Sequence, residues 1–284
     1  MRYSIFLFLF FMSLSSHARF KVMSFNTTCA KLCEKGKFDK YSKRKHWIID
    51  TIKRNNPDII GLQEIITSRQ LNWINSQLED YYLVYYRNSY VLRYADPAIF
   101  FKKSKFDLKK IGGFWLGSNG LWFSFGWKKA LPRRVQWVRL TEKSSGEEFY
   151  FITSHFDNNK KNKAKSAKVL TRLFNDVTTP HLFAGDTNLW PALDGYSTLT
   201  EHFTDSFEIK EKMSLIKNTD TNIHDSCNLE KGKIFPDCRV DHLLVDKNHN
   251  WRIYNWSIDQ FKYGEDQKFT SDHRALIVEV GLNE

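Results

Sequence analysis

The chain has 284 residues, 42% of them hydrophobic and only six of them proline. That is enough apolar sequence to bury a core in one large domain or two small ones, and it excludes a chain too polar to build one. Forty-three basic residues against 32 acidic ones give a net charge of +11. Such an excess favours anionic partners, namely nucleic acid, anionic lipid or polyphosphate, although many soluble proteins are simply basic on their surface.

Met1-Arg2 gives a short positive start, Ile5 to Met12 (IFLFLFFM) is wholly apolar, and Ser16-His17-Ala18 resembles a small-residue cleavage site. The apolar run is well short of the roughly 20 residues that span a bilayer. It is expected to be a secretory signal cut after Ala18, rather than an uncleaved anchor or a buried helix. The protein is then exported, to a periplasm or to the extracellular space. No cysteine sits at the cut to carry a lipid anchor. Four cysteines follow, Cys29, Cys33, Cys227 and Cys238. An even count in an exported chain points to disulfides. Cys29–Cys33 and Cys227–Cys238 are the simplest of three connectivities. Neither pair has the C-x-x-C spacing or the matching histidine of a zinc site.

Residues 19–284 carry no repeat or linker and read as one α/β unit. In chain order, Phe20–Phe25 is a strand that ends on Asn26. Lys43–Asn55 is a helix with Ile48, Ile49 and Ile52 on one face and Pro57 beyond its end. Asp58–Gln63 is a strand that delivers Glu64, and Ser68–Leu78 is a helix aligned on Leu71, Ile74 and Leu78. Ala98–Phe101 and Val135–Leu140 are strands, and Phe149–Ser154 is a strand closed by His155. Lys163–Val177 is a helix that turns Ala167, Leu170, Phe174 and Val177 inward and several lysines outward. His181–Ala184 leads into Gly185-Asp186-Thr187-Asn188. The strand Val240–Val245 contains Asp241-His242, and Ala275–Val280 follows Ser271-Asp272-His273. Each polar motif is therefore expected at a strand's C-terminal end or just after it. There the sheet fixes the backbone while the loops are free to vary.

Taken one at a time, each of these residues has a bland explanation. Glu64 would more often be a loop acid than a metal ligand. Gly-Asp-x-Asn is a common turn; in an extended segment, Asn188 would share the side of Asp186. A lone His155 could be a satisfied structural histidine. Asp272 could orient His273, but so could Asp241 or Asp186. Together and in this order, carboxylates, amides and two histidines suit divalent-metal phosphoester hydrolysis. Hard oxygen ligands hold the cation, and imidazoles move or stabilise protons and charge.

The combination of Gln63-Glu64, Gly185-Asp186-x-Asn188 and Ser271-Asp272-His273 resembles the endonuclease/exonuclease/phosphatase superfamily. That group includes DNase I-like nucleases, bacterial sphingomyelinases, deadenylases and inositol-polyphosphate phosphatases. The resemblance spans Phe20 to Val280, and with its export signal the chain looks like a secreted bacterial-type member. The resemblance implies a four-layered α/β sandwich, two packed mixed β-sheets with helices outside. It implies Glu64 as the principal Mg²⁺ ligand with Asn26 beside it, and Asp241 in the acidic cluster; Mn²⁺ or Ca²⁺ are alternatives. Asp186 and Asn188 would orient the attacking water and the phosphate. His155 would support the phosphate or leaving group. His273, with Asp272 beside it, would transfer the proton. Apurinic-site repair enzymes of this group usually carry tyrosine where this chain has His155, so the chain looks more like the nucleases, sphingomyelinases and phosphatases.

Gly112 to Trp137 holds Phe114, Trp115, Trp122, Phe123, Phe125, Trp127 and Trp137 among Lys128, Lys129, Arg133 and Arg134. Such rings could stack on bases while the cations meet phosphates, dip into a membrane interface, or pack the core. Arg134 is the expected substrate-side cation, because a similar arginine opens the matching strand in many relatives. The lysines of Lys160–Lys168 could extend a phosphate surface or form a solvated helix face. Export, positive charge and interleaved aromatics favour a secreted nuclease acting on DNA or RNA. A sphingomyelinase-like phospholipid phosphodiesterase is the first alternative and a phosphomonoesterase the second. A noncatalytic nucleic-acid or membrane binder is the third. No protein partner is inferred.

Overall fold

Strand residues alternate between two faces, so a strand that is apolar throughout must bury both. The computed structural model describes residues 19–30, 39–85, 96–118, 124–127, 131–213 and 239–282, without the side chains of 210–213. Its elements begin with β1 (Arg19–Asn26), α1 (Tyr41–Asn55), β2 (Ile59–Gln63), α2 (Ser68–Asn75), β3 (Tyr81–Val84) and β4 (Ala98–Lys102). Then come β5 (Phe106–Trp115), β6 (Arg134–Glu142), β7 (Glu148–Ser154), α3 (Lys160–Phe174) and β8 (His181–Asp186). The last are α4 (Asp194–His202), β9 (Phe203–Asp205), α5 (Ser206–Met213), β10 (Asp241–Asp246), β11 (Trp251–Ile258) and β12 (Leu276–Leu282).

The strands form two six-stranded sheets, ordered β11-β12-β1-β2-β4-β3 and β5-β6-β7-β8-β10-β9. Each sheet is antiparallel except for one central parallel pair, β1 with β2 and β7 with β8. Alternate residues feed different layers. Val22 and Ile59 face the core between the sheets, with Phe151, Leu182 and Leu243. Met23 and Ile60 turn the other way, onto Ile48 and Ile52 of α1 and Leu71 and Ile74 of α2. Ile152, Phe183 and Leu244 pack on Leu170 of α3 and Leu199 of α4. Three apolar layers separate four structural ones, so the fold is the expected four-layered α/β sandwich of two packed mixed sheets. Each large buried side chain contributes about 1.5–3 kcal/mol, so the stability is spread over all three layers.

Two glycines let the parallel pairs approach. A Cβ on Gly61 would stand 2.5 Å from Thr153 Oγ1 across the sandwich, and one on Gly185 would stand 2.3 Å from the Ser154 carbonyl. Gln63 Nε2 donates to Thr153 Oγ1 at 3.1 Å and ties the same ends together.

The expected strands and helices are present within a few residues. β3, β5, β9, β11, α4 and α5 were not expected. β5 and β11 are edge strands, and each carries a bulge that breaks the period of two. One expectation is corrected. Asp241 begins β10, and Ser271-Asp272-His273 precede β12, so these motifs lie at N-terminal ends. Both strands run antiparallel to the neighbours that end in the site, which puts all the motifs on one edge. Packing also claims most of the aromatic stretch. Trp115 is buried, Phe114, Trp127 and Trp137 pack against the α3 layer, and Phe125 is 56% exposed. The expected signal segment, Cys33, Cys227, Cys238, Trp122, Phe123, Lys128 and Lys129 lie outside the described residues.

Candidate active site

One transverse row of the second sheet carries much of the site. Trp115 pairs with Arg134, Asp241 pairs with Asp186, and His155 bridges to Asp186. The register that sets Val135 opposite Ser154 brings Arg134 to the level of His155. Cross-strand partners share a face, so Trp115, Arg134, His155, Asp186 and Asp241 line up along it. The first sheet contributes from its own parallel pair. Asn26 ends β1 opposite Gln63, and Glu64 follows.

Three of the five non-glycine residues with positive φ among the described residues, Thr28, Glu64 and Asn188, sit at this edge. Such backbone costs of order 1–3 kcal/mol and persists only where neighbours enforce it. Glu64 N donates to Asp96 Oδ1 at 2.9 Å, Glu64 Oε1 accepts Asn26 Nδ2 at 3.2 Å, and Glu64 Oε2 accepts the Cys29 amide. Asn188 N donates to Asp186 Oδ1 at 2.8 Å. The segment is therefore a side-chain-closed turn and not an extended one. Asn188 Nδ2 donates to the Phe156 carbonyl at 3.0 Å, and Lys163 Nζ donates to the Asn188 carbonyl at 2.6 Å.

The two histidines follow one plan. His155 Nδ1 donates to Asp96 Oδ2 at 3.3 Å, which leaves Nε2 at 3.3 Å from Asp186 Oδ2 and 3.8 Å from Glu64 Oε1. His273 Nδ1 donates to Asp241 Oδ2 at 2.6 Å, and its Nε2 stands 3.8 Å from the same Asp186 oxygen. In each case a carboxylate fixes Nδ1 and turns Nε2 toward Asp186. Asp241 is thus the hydrogen-bond partner of His273. Asp272 Oδ1 instead accepts the Thr28 hydroxyl. Adjacent side chains leave the backbone in different directions, so sequence neighbours need not touch.

Charge at the site is set by these contacts. Burial alone would lower the pKa of His273, but Asp241 and Asp186 reverse this and hold it at about 10. The ring is an imidazolium at neutral pH, suited to giving a proton or holding charge. Burial acts to raise Asp186, yet His155, His273 and the Asn26 amide keep its carboxyl below the usual carboxylate range.

Polar atoms of the buried Asp186, Asp241 and His273 lie within 4.8 Å of one another; with His273 charged, the two carboxylates would be the ligands there. Glu64 joins them through Asn26, whose Nδ2 also donates to Asp186 Oδ2 at 2.9 Å. Asn26 turns its nitrogen to these carboxylates, while its Oδ1 accepts Thr28 N at 3.1 Å. The carboxylates Glu64, Asp96, Asp186, Asp241 and Asp272 bring oxygen donors to this edge, whereas the cations beside them, Arg133 at 3.6 Å from Asp96, Arg134 and Lys163, supply no ligand atoms. Such hard oxygen donors fit a divalent cation.

Several residues were missed by sequence reasoning. Asp96 had no visible partner in the sequence. Arg44 did leave a signal, because it falls on the buried stripe of α1 with Ile48 and Ile52. Its guanidinium donates to the carbonyls of Asp39, Thr27, Thr28 and Thr270 at 2.7–2.9 Å. It thereby binds the loop after Asn26 to the loop before His273. Arg134 is buried, with its guanidinium 5.5 Å from the centre of the Trp115 ring.

The geometry has counterparts among known proteins. A family model described as "Endonuclease/Exonuclease/phosphatase family" matches residues 24–273. An endonuclease/exonuclease/phosphatase family protein from Bacteroides thetaiotaomicron is 23% identical, with a TM-score of 0.80 over 94% of this chain and 99% of that one. The mannosyl-6-phosphatase of Bacteroides thetaiotaomicron VPI-5482 is also 23% identical, with a TM-score of 0.75 over 92% and 99%. D. rerio TDP2, solved with a single-strand DNA product, is 16% identical, with a TM-score of 0.70 over 93% and 99%. At these identities the three structures share the fold.

Proposed function

The chain belongs to the endonuclease/exonuclease/phosphatase family, and from that premise we propose that it hydrolyses phosphodiester bonds of nucleic acid with a divalent cation. The observation that carries the reading is the meeting of His155 Nε2, His273 Nε2 and Asn26 Nδ2 on one buried oxygen of Asp186. Attack on a phosphodiester builds negative charge on the nonbridging oxygens and on the leaving oxygen. His155 and His273 turn their Nε2 atoms toward Asp186, where that charge would develop. The His273 imidazolium can give a proton to the leaving oxygen or neutralise the phosphate. Asp186, held ionised, is the acceptor that would orient the attacking water, and Asn188 shapes the turn beside it. A divalent cation would supply neutralisation of phosphoryl oxygens; Mg²⁺ is the first choice, with Mn²⁺ or Ca²⁺ as substitutes. Glu64 and Asp241 would hold it, with Asn26 beside them. Arg134, level with His155, would meet the substrate phosphate.

Nucleic acid is favoured by the charge of +11 and by the likeness to a TDP2 structure that holds single-strand DNA. The similar coverage of a mannosyl-6-phosphatase makes a phosphomonoester the second reading. Residues 1–18 are read as an export signal, which places the activity outside the cytoplasm. The test offers plasmid DNA, RNA, a sugar phosphate and sphingomyelin liposomes to the purified protein, with Mg²⁺ and with EDTA. Metal-dependent cleavage of DNA or RNA is expected. Turnover of the sugar phosphate alone, or of the liposomes alone, would replace the nuclease reading. Calorimetric titration with Mn²⁺ should show binding that Glu64→Gln weakens at least tenfold.

A further inference from the structure

α3 starts five residues after His155 and carries Lys160, Lys161, Lys163, Lys165, Lys168 and Arg172 with no acidic residue along its length. Lys161, Lys165, Lys168 and Arg172 recur at spacings of four, three and four, which puts them in one stripe. All four are exposed. Among the described residues none of the four makes an ion pair. Lys165 lies 5.7 Å from the centre of the Trp127 ring.

A solvated helix face normally mixes its charges. α1 is basic too, but carboxylates meet its cations: Lys43 pairs with Asp39, and Arg54 pairs with Asp50 and Asp259. The α3 stripe does the opposite. Like charges one turn apart each cost about 0.2–0.5 kcal/mol, and three such neighbour pairs follow one another here. Lys160, Lys161 and Lys163 also crowd the positive end of the helix dipole, where anions are preferred. Asn159 already caps that end through its side chain, so the free amides there are not what draws a ligand. The helix itself gains nothing from this arrangement. A polyanion laid along the stripe would remove its cost.

The stripe is also placed correctly. Lys163 lies on the inner face of the helix, across from the stripe, and reaches the Asn188 carbonyl, so the first turns of α3 abut the catalytic edge and the stripe begins there on the outer side. From Lys161 to Arg172 the stripe runs about 16 Å at 1.5 Å per residue. That length covers about five base steps measured along the axis of a B-form duplex at 3.4 Å each. We propose that the outer face of α3 is a track for the sugar–phosphate backbone of a polynucleotide, leading away from the catalytic edge. The proposal rests on the nucleic-acid reading above and extends it to a docking surface.

The test uses the full protein and the variant in which Lys161, Lys165, Lys168 and Arg172 are all replaced by Gln. Labelled DNA and RNA strands are titrated in EDTA over a range of salt, so that binding is read without cleavage. The variant should bind at least tenfold more weakly, and its slope of log K against log salt should be less steep by about 3. Hydrolysis of a small aromatic phosphodiester with Mg²⁺ should be unchanged, which shows the site intact. Equal affinity and equal slope for the two proteins would overturn the track. So would a variant that loses binding only to anionic vesicles, since that assigns the face to a membrane. Strands bound along α3 but never cleaved would remove the nuclease reading and leave the track standing. Strands cleaved with unchanged KM by the variant would do the reverse.

Discussion

The two ends of β8 hold histidines under opposite rules. At the Asp186 end, two imidazoles are each anchored by a carboxylate and both face a third. At the other end, about 16 Å away along the strand, His181 Nδ1 donates to the Thr179 carbonyl at 3.0 Å and its Nε2 meets His202 Nε2 at 2.7 Å. Both rings are held toward the neutral form, in which His181 Nε2 accepts and His202 Nε2–H donates. The nearest carboxylate, Asp246, is occupied by the His181 amide, His249 Nδ1 and Trp251 Nε1. Burial lowers the pKa of both rings, and His181 lowers that of His202 further. His181 and His273 are both buried, yet their shifts have opposite signs. Burial prevails at His181, and at His273 the two carboxylates override it, so burial alone does not decide the charge of an imidazole here.

The sharpest way to break this comparison is at His273. His273→Ala removes an imidazolium that faces two carboxylates, and loss of such a group typically costs about 10²–10⁴ in kcat. The far-UV circular dichroism should not change. Near-native turnover in the purified variant would remove His273 from the chemistry. The next effect is smaller. Asp96→Asn keeps the volume but no longer demands a proton from His155 Nδ1, so the ring loses its fixed tautomer. An orienting partner of this kind is typically worth about 10–100-fold in activity. Asp246→Asn is the matched change at the far end of β8. It should lower the urea midpoint while leaving kcat alone. Equal kcat losses in both variants would show that Asp96 acts through general stability.

Much of this contrast was legible in the sequence, but only at one end. Glu64, His155, Asp186 and His273 stand out because each closes or precedes an apolar run, and the layered fold follows from the same runs. Asp96 and Thr28 were not visible, because their partners His155 and Asp272 are 59 and 244 residues away. Only the strand order brings them together. Asp241 and His273 were found but placed at the wrong strand ends, since sequence does not show whether a neighbouring strand is antiparallel. The aromatic stretch stayed open between stacking, membrane and core for a different reason. Composition reports that rings are present, and the packing of Phe114, Trp127 and Trp137 under α3 decides where they point. His181 and His202 left no signal, because a histidine at a strand start and another at a helix end are both ordinary.

The smallest effect is a difference in pH dependence between the ends of β8. His273 has a folded pKa raised to about 10, so its contribution to stability is complete below the unfolded value of about 6.5. That contribution is lost as pH rises through 10. His181 and His202 are lowered, so the unfolded chain binds more protons than the folded one once pH drops below about 6.5. Stability is lost from there downward until the folded values are passed. Asp246 opposes this loss at both rings, while His249 faces His181 and Lys247 faces His202 with positive charge. His202→Gln keeps a donor for His181 Nε2 and removes one of the titrating groups. At slightly alkaline pH its urea midpoint should stay close to that of the native protein, since one neutral hydrogen bond replaces another at a cost of about 1 kcal/mol or less. As pH falls below 6.5 the native midpoint should drop faster than that of the variant. Parallel acid limbs would mean that the imidazole pair takes up its proton without strain, and the contrast between the two ends of β8 would then be one of geometry alone.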